Sequence, residues 1–194
     1  VGVDLVFGGI DAYGTRNIPV LPNQFIGSTY YSPVYSTEQS APALAYFVNP
    51  NTKDITINWT RSAGSPTSGS FIVPKNNGIN FFNMNQVSGH KFESADGSSY
   101  TAVTLIDADD NGTTYDWSFN MISANRLTSM AAIAWAPGSS DLTANYNPVW
   151  VTPTQNTTVY VKYDGDLTAG PNQSACGSYY DISYSVNALE SKLI

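Results

Sequence analysis

The sequence predicts an all-β fold, an antiparallel β-sandwich or jelly roll with at most one short helical turn. Short stretches in which β-branched or aromatic residues alternate with polar ones recur along the chain, the pattern of half-buried strands. Turn-forming pairs such as Asn111-Gly112 and Asp164-Gly165 separate these stretches. Because the segments between them show no sustained helical period, we expect sheets to pack on sheets.

The predicted strands are all short and follow one another at regular spacing. They are Val3–Phe7, Ile26–Tyr31, Ala43–Val48, Ile55–Thr60, Ser70–Val73, Asn80–Asn83, Tyr100–Ile106, Asp116–Met121, Ala131–Trp135, Val149–Val151, Thr157–Tyr163 and Ile182–Val186. Residues 123–130 are the one helical candidate, with Ser123 as its cap and Leu127 and Met130 facing inward.

The clearest strand signal lies in residues 147–166, NPVWVTPTQNTTVYVKYDGD. Val149–Val151 and Thr157–Tyr163 alternate strictly, and the Pro-Thr-Gln-Asn between them has the composition of a turn. These observations predict a β-hairpin whose second strand ends in the acidic turn Asp164-Gly-Asp166. Strand-like apolar residues at both ends of the chain, residues 1–7 and 193–194, are expected to form edges that can pair with a neighbouring chain.

The composition is typical of an extracellular β protein. Aromatic residues make up 13% of the 194 residues and charged residues only 12%, a balance that disfavours disorder. No apolar run reaches the roughly 20 residues that a membrane-spanning helix requires, so membrane insertion is not expected. The net charge of −7 disfavours nucleic acid as a partner, since that role requires clustered Lys and Arg.

Most of the negative charge lies in the second half of the chain. Residues 101–194 hold nine acidic side chains against three basic ones, whereas residues 1–100 hold six against five. The change occurs near an acidic loop at residues 107–115. We predict a single module over residues 1–194, because no Pro- or Gly-rich linker is present. The alternative is two packed β-subdomains, residues 1–106 and 116–194, joined by that loop.

The acidic loop is the first choice for a calcium site. Asp107, Asp109 and Asn111 occupy positions 1, 3 and 5 of a calcium-loop pattern, and Gly112 occupies position 6. The pattern lacks its final Glu, and Asp116 could supply the missing carboxylate. An acidic hairpin turn without an ion is the alternative interpretation.

Other candidate groups point more weakly to chemistry. Asp164 and Asp166 are the second choice for calcium, although Asp-Gly is also a common hairpin turn. The only histidine, His90, is expected to be solvated, and the only cysteine, Cys176, to be a small buried group. With no base beside a nucleophile and no zinc-ligand set in the sequence, we predict that the chain is not an enzyme.

Adjacent aromatic residues are expected to lie on opposite faces of their strands. Tyr30-Tyr31, Phe81-Phe82, Tyr115-Asp-Trp117 and Tyr179-Tyr180 each have one member predicted to be buried and one exposed. An exposed Tyr or Trp can stack on a sugar ring or dock a peptide, although core packing is the commoner role. Trp59, Trp135 and Trp150 lie in strand contexts and are predicted to be core residues.

Several segments together resemble a module of very large secreted bacterial surface proteins. PVWVTP-x-x-NTTVYV-x-YDGD carries this resemblance, with WAPGSSDL before it and YDISYSVNALES after it. Upstream segments extend it over most of the chain, among them YFVNPNTKDITINWTR and HKFESADGSSYTAVTLIDAD. Such proteins carry tandem immunoglobulin-like repeats, and their non-repeat region resembles the N-terminal domain of IgGFc-binding protein. The resemblance implies a secreted, cell-surface location and assigns no catalytic residue.

These observations predict a non-enzymatic extracellular structural or adhesive module of a bacterial surface protein or fibre, with calcium as the expected stabilising ion. Its expected partners are neighbouring modules or identical subunits that pair through edge strands. The alternative is a carbohydrate- or peptide-binding module on the same sandwich. A jelly-roll hydrolase ranks last, because the sequence reveals no paired carboxylates for it.

Overall fold

The computed structural model describes residues 4–7, 16–19, 21–32, 43–84, 88–106, 117–133 and 149–193. Within these ranges the chain forms short strands and two single-turn 3₁₀ helices, Asn23–Phe25 and Ala124–Arg126. The strands are β1 (Asp4–Phe7), β2 (Arg16–Pro19), β3 (Thr29–Ser32), β4 (Ala43–Asn49), β5 (Ile55–Arg61), β6 (Ser68–Val73), β7 (Gly78–Met84), β8 (His90–Ser94), β9 (Thr101–Ile106), β10 (Trp117–Asn120), β11 (Trp150–Val151), β12 (Thr157–Val161), β13 (Asn172–Gln173), β14 (Tyr179–Tyr180), β15 (Ile182–Val186) and β16 (Lys192–Leu193).

Two four-stranded antiparallel sheets form the centre of the fold. One has the strand order β10-β9-β4-β7 and the other β3-β8-β5-β6. Alternation along β5 buries Ile55, Ile57 and Trp59 and exposes the residues between them, as a period of two requires. Sheet-on-sheet packing of these apolar faces confirms the predicted all-β, sandwich-like fold.

Aromatic rings from both sheets fill the space between them. Phe47 of β4 is fully buried, and its ring centroid lies 4.9 Å from that of Phe92 on β8 and 5.0 Å from that of Phe71 on β6. Trp59 is buried as predicted and packs 4.9 Å from Phe82 on the opposite sheet. Such contacts bury large apolar areas and hold the two sheets face to face.

Two buried tyrosines form hydrogen bonds that link β3 and β8 to the segments before β3 and β9. The Tyr30 hydroxyl accepts a hydrogen bond from the Gly27 N–H at 2.9 Å and donates to the Tyr100 carbonyl. The Tyr100 hydroxyl in turn donates to the Phe92 carbonyl at 3.0 Å. Burial raises the pKa of both hydroxyls, so they remain protonated donors across the physiological pH range.

The hairpin predicted at residues 149–163 is wrong in its pairing, although both of its strands exist. β12 pairs antiparallel with β15 over five residue pairs, from Thr157↔Val186 to Val161↔Ile182. β11 pairs with β16 near the end of the described chain. Each half of the predicted hairpin therefore finds a partner about 20–40 residues further on, because strand propensity marks a strand without choosing its neighbour.

The predicted helical segment at residues 123–130 shrinks to one 3₁₀ turn. Ser123 stands at its N-terminus, but its hydroxyl makes no capping hydrogen bond to the turn. Leu127 and Met130 are 46% and 71% exposed, so the prediction that they face inward is wrong. Residues 131–133 form no strand, while the remainder of the predicted strand Ala131–Trp135 lies outside the described residues.

The C-terminal strands dock onto the sandwich at a polar junction. The Leu189 carbonyl accepts hydrogen bonds from the Gly89 N–H at 2.8 Å and from the Ser62 hydroxyl at 2.7 Å. A Cβ at Gly89 would lie 2.9 Å from that carbonyl oxygen, so only glycine permits this approach. Along the described ranges, no helix has the length and apolar character needed to cross a membrane.

Candidate functional site

The first-choice calcium residues Asp107, Asp109, Asn111 and Asp116 lie outside the described residues. The strands on either side of them, β9 and β10, pair antiparallel from Trp117↔Ile106 onward. The acidic loop therefore connects two adjacent strands of one sheet. The calcium site itself stays a prediction.

The second-choice residues Asp164 and Asp166 lie in the turn after β12, where each carboxylate already has protein partners. Lys162 extends its ammonium group to 3.0 Å from the Asp164 carboxylate and 3.2 Å from the Asp181 carboxylate. Asp166 accepts hydrogen bonds from the Thr168 N–H at 2.8 Å and the Thr168 hydroxyl at 2.6 Å. These contacts link the carboxylates of the acidic turn to Lys162 and Thr168.

Hydrogen bonds to these carboxylates shift their pKa values in the expected direction. The Asp166 N–H, and then Lys162, lower the pKa of Asp164, while the Thr168 hydroxyl lowers that of Asp166. The Asp164 hydrogen bond correspondingly raises the pKa of Lys162. A cation at this turn would have to displace the Lys162 ammonium group from Asp164. Among the described residues, no three His, Cys, Asp or Glu side chains form a group that could hold a metal.

Exposed aromatic side chains lie beside this turn. Tyr160 is 48% exposed, and its ring centroid lies 4.7 Å from that of the half-buried Tyr180 at a tilt of 53°. Tyr163 is 72% exposed. Tyr179 and Tyr180 are both half-buried, so the expectation of one buried and one exposed ring is wrong for this pair. β14 has only two residues, which is too short for strand alternation to bury one ring and expose the other.

The most distinctive surface is one lateral edge of the sandwich, formed by β6 and β7. Ile72 of β6 and Ile79 and Phe81 of β7 are 57%, 61% and 60% exposed. The next residue, Phe82, turns inward onto Trp59, as the alternation predicted. Within the described residues, no strand pairs with the outer side of β6 or β7. We call this surface, Ile72 with Ile79–Phe81, the open edge.

The opposite lateral edge is covered by the chain itself. Ser123 forms an isolated bridge with Tyr30 on β3, and β2 lies beside β10. An uncovered strand presents backbone N–H and C=O groups that another strand can use. Sequence reasoning predicted pairing edges at the chain ends but missed this one. The signal was present in Gly78–Met84, which contains neither a charged residue nor a proline.

Asn80 occupies the centre of the open edge with its side chain. Its amide nitrogen donates to the Ile72 carbonyl on β6 at 2.7 Å, and its amide oxygen accepts from the Phe81 N–H at 2.8 Å. One carboxamide therefore satisfies a backbone group on the outermost strand of each sheet.

His90 and Cys176 differ from their predicted environments. His90 is fully buried at the start of β8, with its ring centroid 5.8 Å from that of Phe92 and 5.6 Å from that of Phe82. Cys176 is exposed, in the turn between β13 and β14. The polar residues around His90 suggested a solvated side chain, whereas strand pairing buries it in β8. The apolar character of cysteine suggested burial, whereas Cys176 lies in an exposed turn.

Comparison with known proteins finds no relative of this chain. The chain matches no family model, no curated protein and no solved structure. The resemblance to bacterial surface proteins thus remains an expectation from the sequence motifs.

Proposed function

We propose that this chain is a non-enzymatic structural and adhesive module of a secreted bacterial surface protein or fibre. Its task is to join neighbouring modules or identical subunits through an exposed sheet edge. The observation that carries the proposal is the open edge, an uncharged strand with Ile79 and Phe81 displayed on it. Edges of this kind are normally shortened, charged or covered, because they pair with other chains.

The composition and the packing support the same role. Aromatic rings from both sheets seal a core that can hold without a disulfide, since Cys176 is the only cysteine. Hydroxyl and amide side chains on the outer face of β5 suit an aqueous surface. The calcium-loop pattern and the surface-protein motifs of the sequence fit an extracellular setting.

Beads coated with the full chain provide the direct test of adhesion. Wild-type beads are expected to clump with one another, and the double variant Ile79→Lys, Phe81→Lys should reduce clumping at least tenfold, because edge charges block strand pairing. Flow cytometry of doublets and larger clusters measures the effect.

A matched control separates edge pairing from charge alone. Thr56→Lys, Asn58→Lys adds the same two charges on exposed positions of β5, a central strand, and should leave clumping unchanged. The proposal is overturned if wild-type beads clump no more than beads coated with serum albumin. Equal loss in the two lysine variants would also count against it.

Calcium is expected to stabilise the module through the acidic loop. At a free calcium concentration 100 times the Kd, a single site adds about 2.7 kcal/mol to the free energy of unfolding. For a chain of this size that corresponds to roughly 5–10 °C in melting temperature. Asp107→Asn, Asp109→Asn should abolish the shift, whereas Asp164→Asn, Asp166→Asn should retain it. Identical wild-type melting in calcium and in EGTA would exclude the site.

The alternative function, carbohydrate binding, is favoured by the exposed Tyr160 and its contact with Tyr180. Tyrosine rings beside carboxylate and amide groups suit a neutral sugar. A glycan array probed with wild type and with Tyr160→Ala is the measurement that would reveal this activity.

A further inference from the structure

We propose that the partner of the open edge is a second copy of the same edge, and that the Asn80 side chain limits this pairing. The proposal rests on the adhesive function above and names its partner and its control. Three observations carry it: the direction of the backbone groups along β7, the lack of charged residues on that strand, and the position of the Asn80 carboxamide.

The backbone direction follows from one hydrogen bond. In an antiparallel ladder, alternate residues direct both their N–H and C=O groups to the same side. Phe81 gives its N–H to the Asn80 side chain on the outer side, not to β4. Ile79 and Asn83 stand two residues away on the same strand, so their backbone groups also point outward.

These three outward residues allow a two-fold symmetric pairing. With Phe81 opposite Phe81 of the second copy, Ile79 faces Asn83 in both directions. Each outward residue can then exchange two backbone hydrogen bonds with its opposite, about six in all. Cross-strand residues share one face, so the two exposed Phe81 rings would lie together.

Charge favours this contact over other surfaces of the chain. The protein carries a net charge of −7, so most of its surface repels a second copy. β7 has no charged residue, and two β7 strands can meet with no like charges opposed. We therefore expect the affinity to rise with salt.

The size of the contact predicts a weak dimer. Seven residues of strand extend roughly 23 Å. A contact along one strand of that length buries much less surface than the roughly 1,200–2,000 Å² that a stable complex buries. Strong association would therefore need several modules held together, as on a bead or in a fibre.

Asn80 lowers the affinity further, because its amide oxygen already holds the N–H at the centre of the symmetric pairing. A partner strand must first displace that carboxamide, which also breaks its bond to the Ile72 carbonyl. Removing the carboxamide should leave the edge ready to pair.

Sedimentation velocity from 5 to 500 µM measures dimerisation and tests this role of Asn80. Asn80→Ala is expected to dimerise at least tenfold more tightly than the wild type. Asn58→Ala, which removes an exposed asparagine from the central strand β5, should match the wild type. Adding Phe81→Lys to Asn80→Ala should return the protein to a monomer. Circular dichroism of each variant checks that it is folded.

Two outcomes overturn the inference. In the first, Asn80→Ala sediments like Asn58→Ala; in the second, its dimer persists when Phe81→Lys is added. If Asn80→Ala does not fold, Asn80→Ser, which also lacks the carboxamide, replaces it, and sedimentation of Asn80→Ser like Asn58→Ala overturns the inference. Wild-type beads that clump while Asn80→Ala stays monomeric would leave the adhesive function intact and remove only this partner. The reverse result would remove the function and leave the pairing.

Discussion

Replacing Phe47 with alanine is expected to lower the free energy of unfolding by about 3–5 kcal/mol, the range for removing a buried aromatic ring. Phe47 lies on the inner strand β4 with none of its surface exposed. Its ring contacts Phe71, Phe92 and Tyr100, with centroids 5.0, 4.9 and 5.9 Å away. Phe71 and Phe92 lie on β6 and β8 of the opposite sheet, and Tyr100 lies just before β9, so the cavity cannot close by moving one side chain.

Urea unfolding measures the loss, and the next residue supplies the control. Val48 is half-buried on the other face of β4, so Val48→Ala should cost about 1 kcal/mol or less. If Phe47→Ala does not fold, Phe47→Leu is expected to be less stable than wild type by a smaller amount, with an unchanged m-value. A Phe47→Ala loss no larger than that of Val48→Ala would mean that this ring does not join the two sheets.

The strands of the sandwich could be predicted because their alternation records burial directly. Ile55, Ile57 and Trp59 read as one apolar face and form one. β8 was missed since His90-Lys-Phe-Glu-Ser has a single strongly apolar residue, although His90 and Ser94 are buried with Phe92. A strand whose inward residues are polar gives no periodic apolar signal, so its burial depends on partners that the sequence does not name.

Strand pairing was the part that local sequence could not decide. Turn chemistry at Pro153–Asn156 favoured a hairpin, yet β12 selects β15 and places Val159 opposite Tyr184. Pairing at that distance depends on the packing of the whole C-terminal region. The open edge was hidden for the same reason, because an edge exists only once the neighbours of β7 are known.

The two candidate calcium sites differ in how much of each could be predicted from the sequence. The motif-based site at Asp107–Asp116 came from a spacing pattern and has no counterpart among the described residues. At Asp164 and Asp166 the acids were correctly placed in a turn, but Lys162 and Thr168 were not anticipated as their partners. Composition suggests free carboxylates there, whereas the fold supplies the groups that neutralise them.

Lowering the pH from 7.5 to 5 is expected to reduce the stability of the wild type through His90. Burial, and then the nearby positive charge of Arg61, lower its pKa from 6.5 to about 4. In the unfolded chain the imidazole takes up its proton near pH 6.5. The unfolded state therefore binds the proton first, and stability falls as the pH drops below 6.5 and until it reaches about 4.

The size of this effect follows from the difference between the two pKa values. Over the whole window the loss approaches about 3 kcal/mol, and about 2 kcal/mol of it is present at pH 5. Above pH 6.5 the contribution is complete and constant. The carboxyl groups of Asp96, Asp164 and Asp166, whose pKa values are lowered, lose their contribution only at more acidic pH. Their titration is therefore separate from that of His90 at pH 5.

The variant His90→Asn carries no titrating group and tests the assignment. It should be less stable than wild type at pH 7.5, since it leaves space among Phe82, Phe92 and Trp59. Its free energy of unfolding should then stay within about 0.5 kcal/mol between pH 7.5 and 5, because its own proton uptake is gone. His90→Phe supplies a second non-titrating side chain of suitable shape. If both variants lose stability as steeply as wild type over that range, another group controls the acid response. The aromatic surroundings of His90 would then serve packing alone.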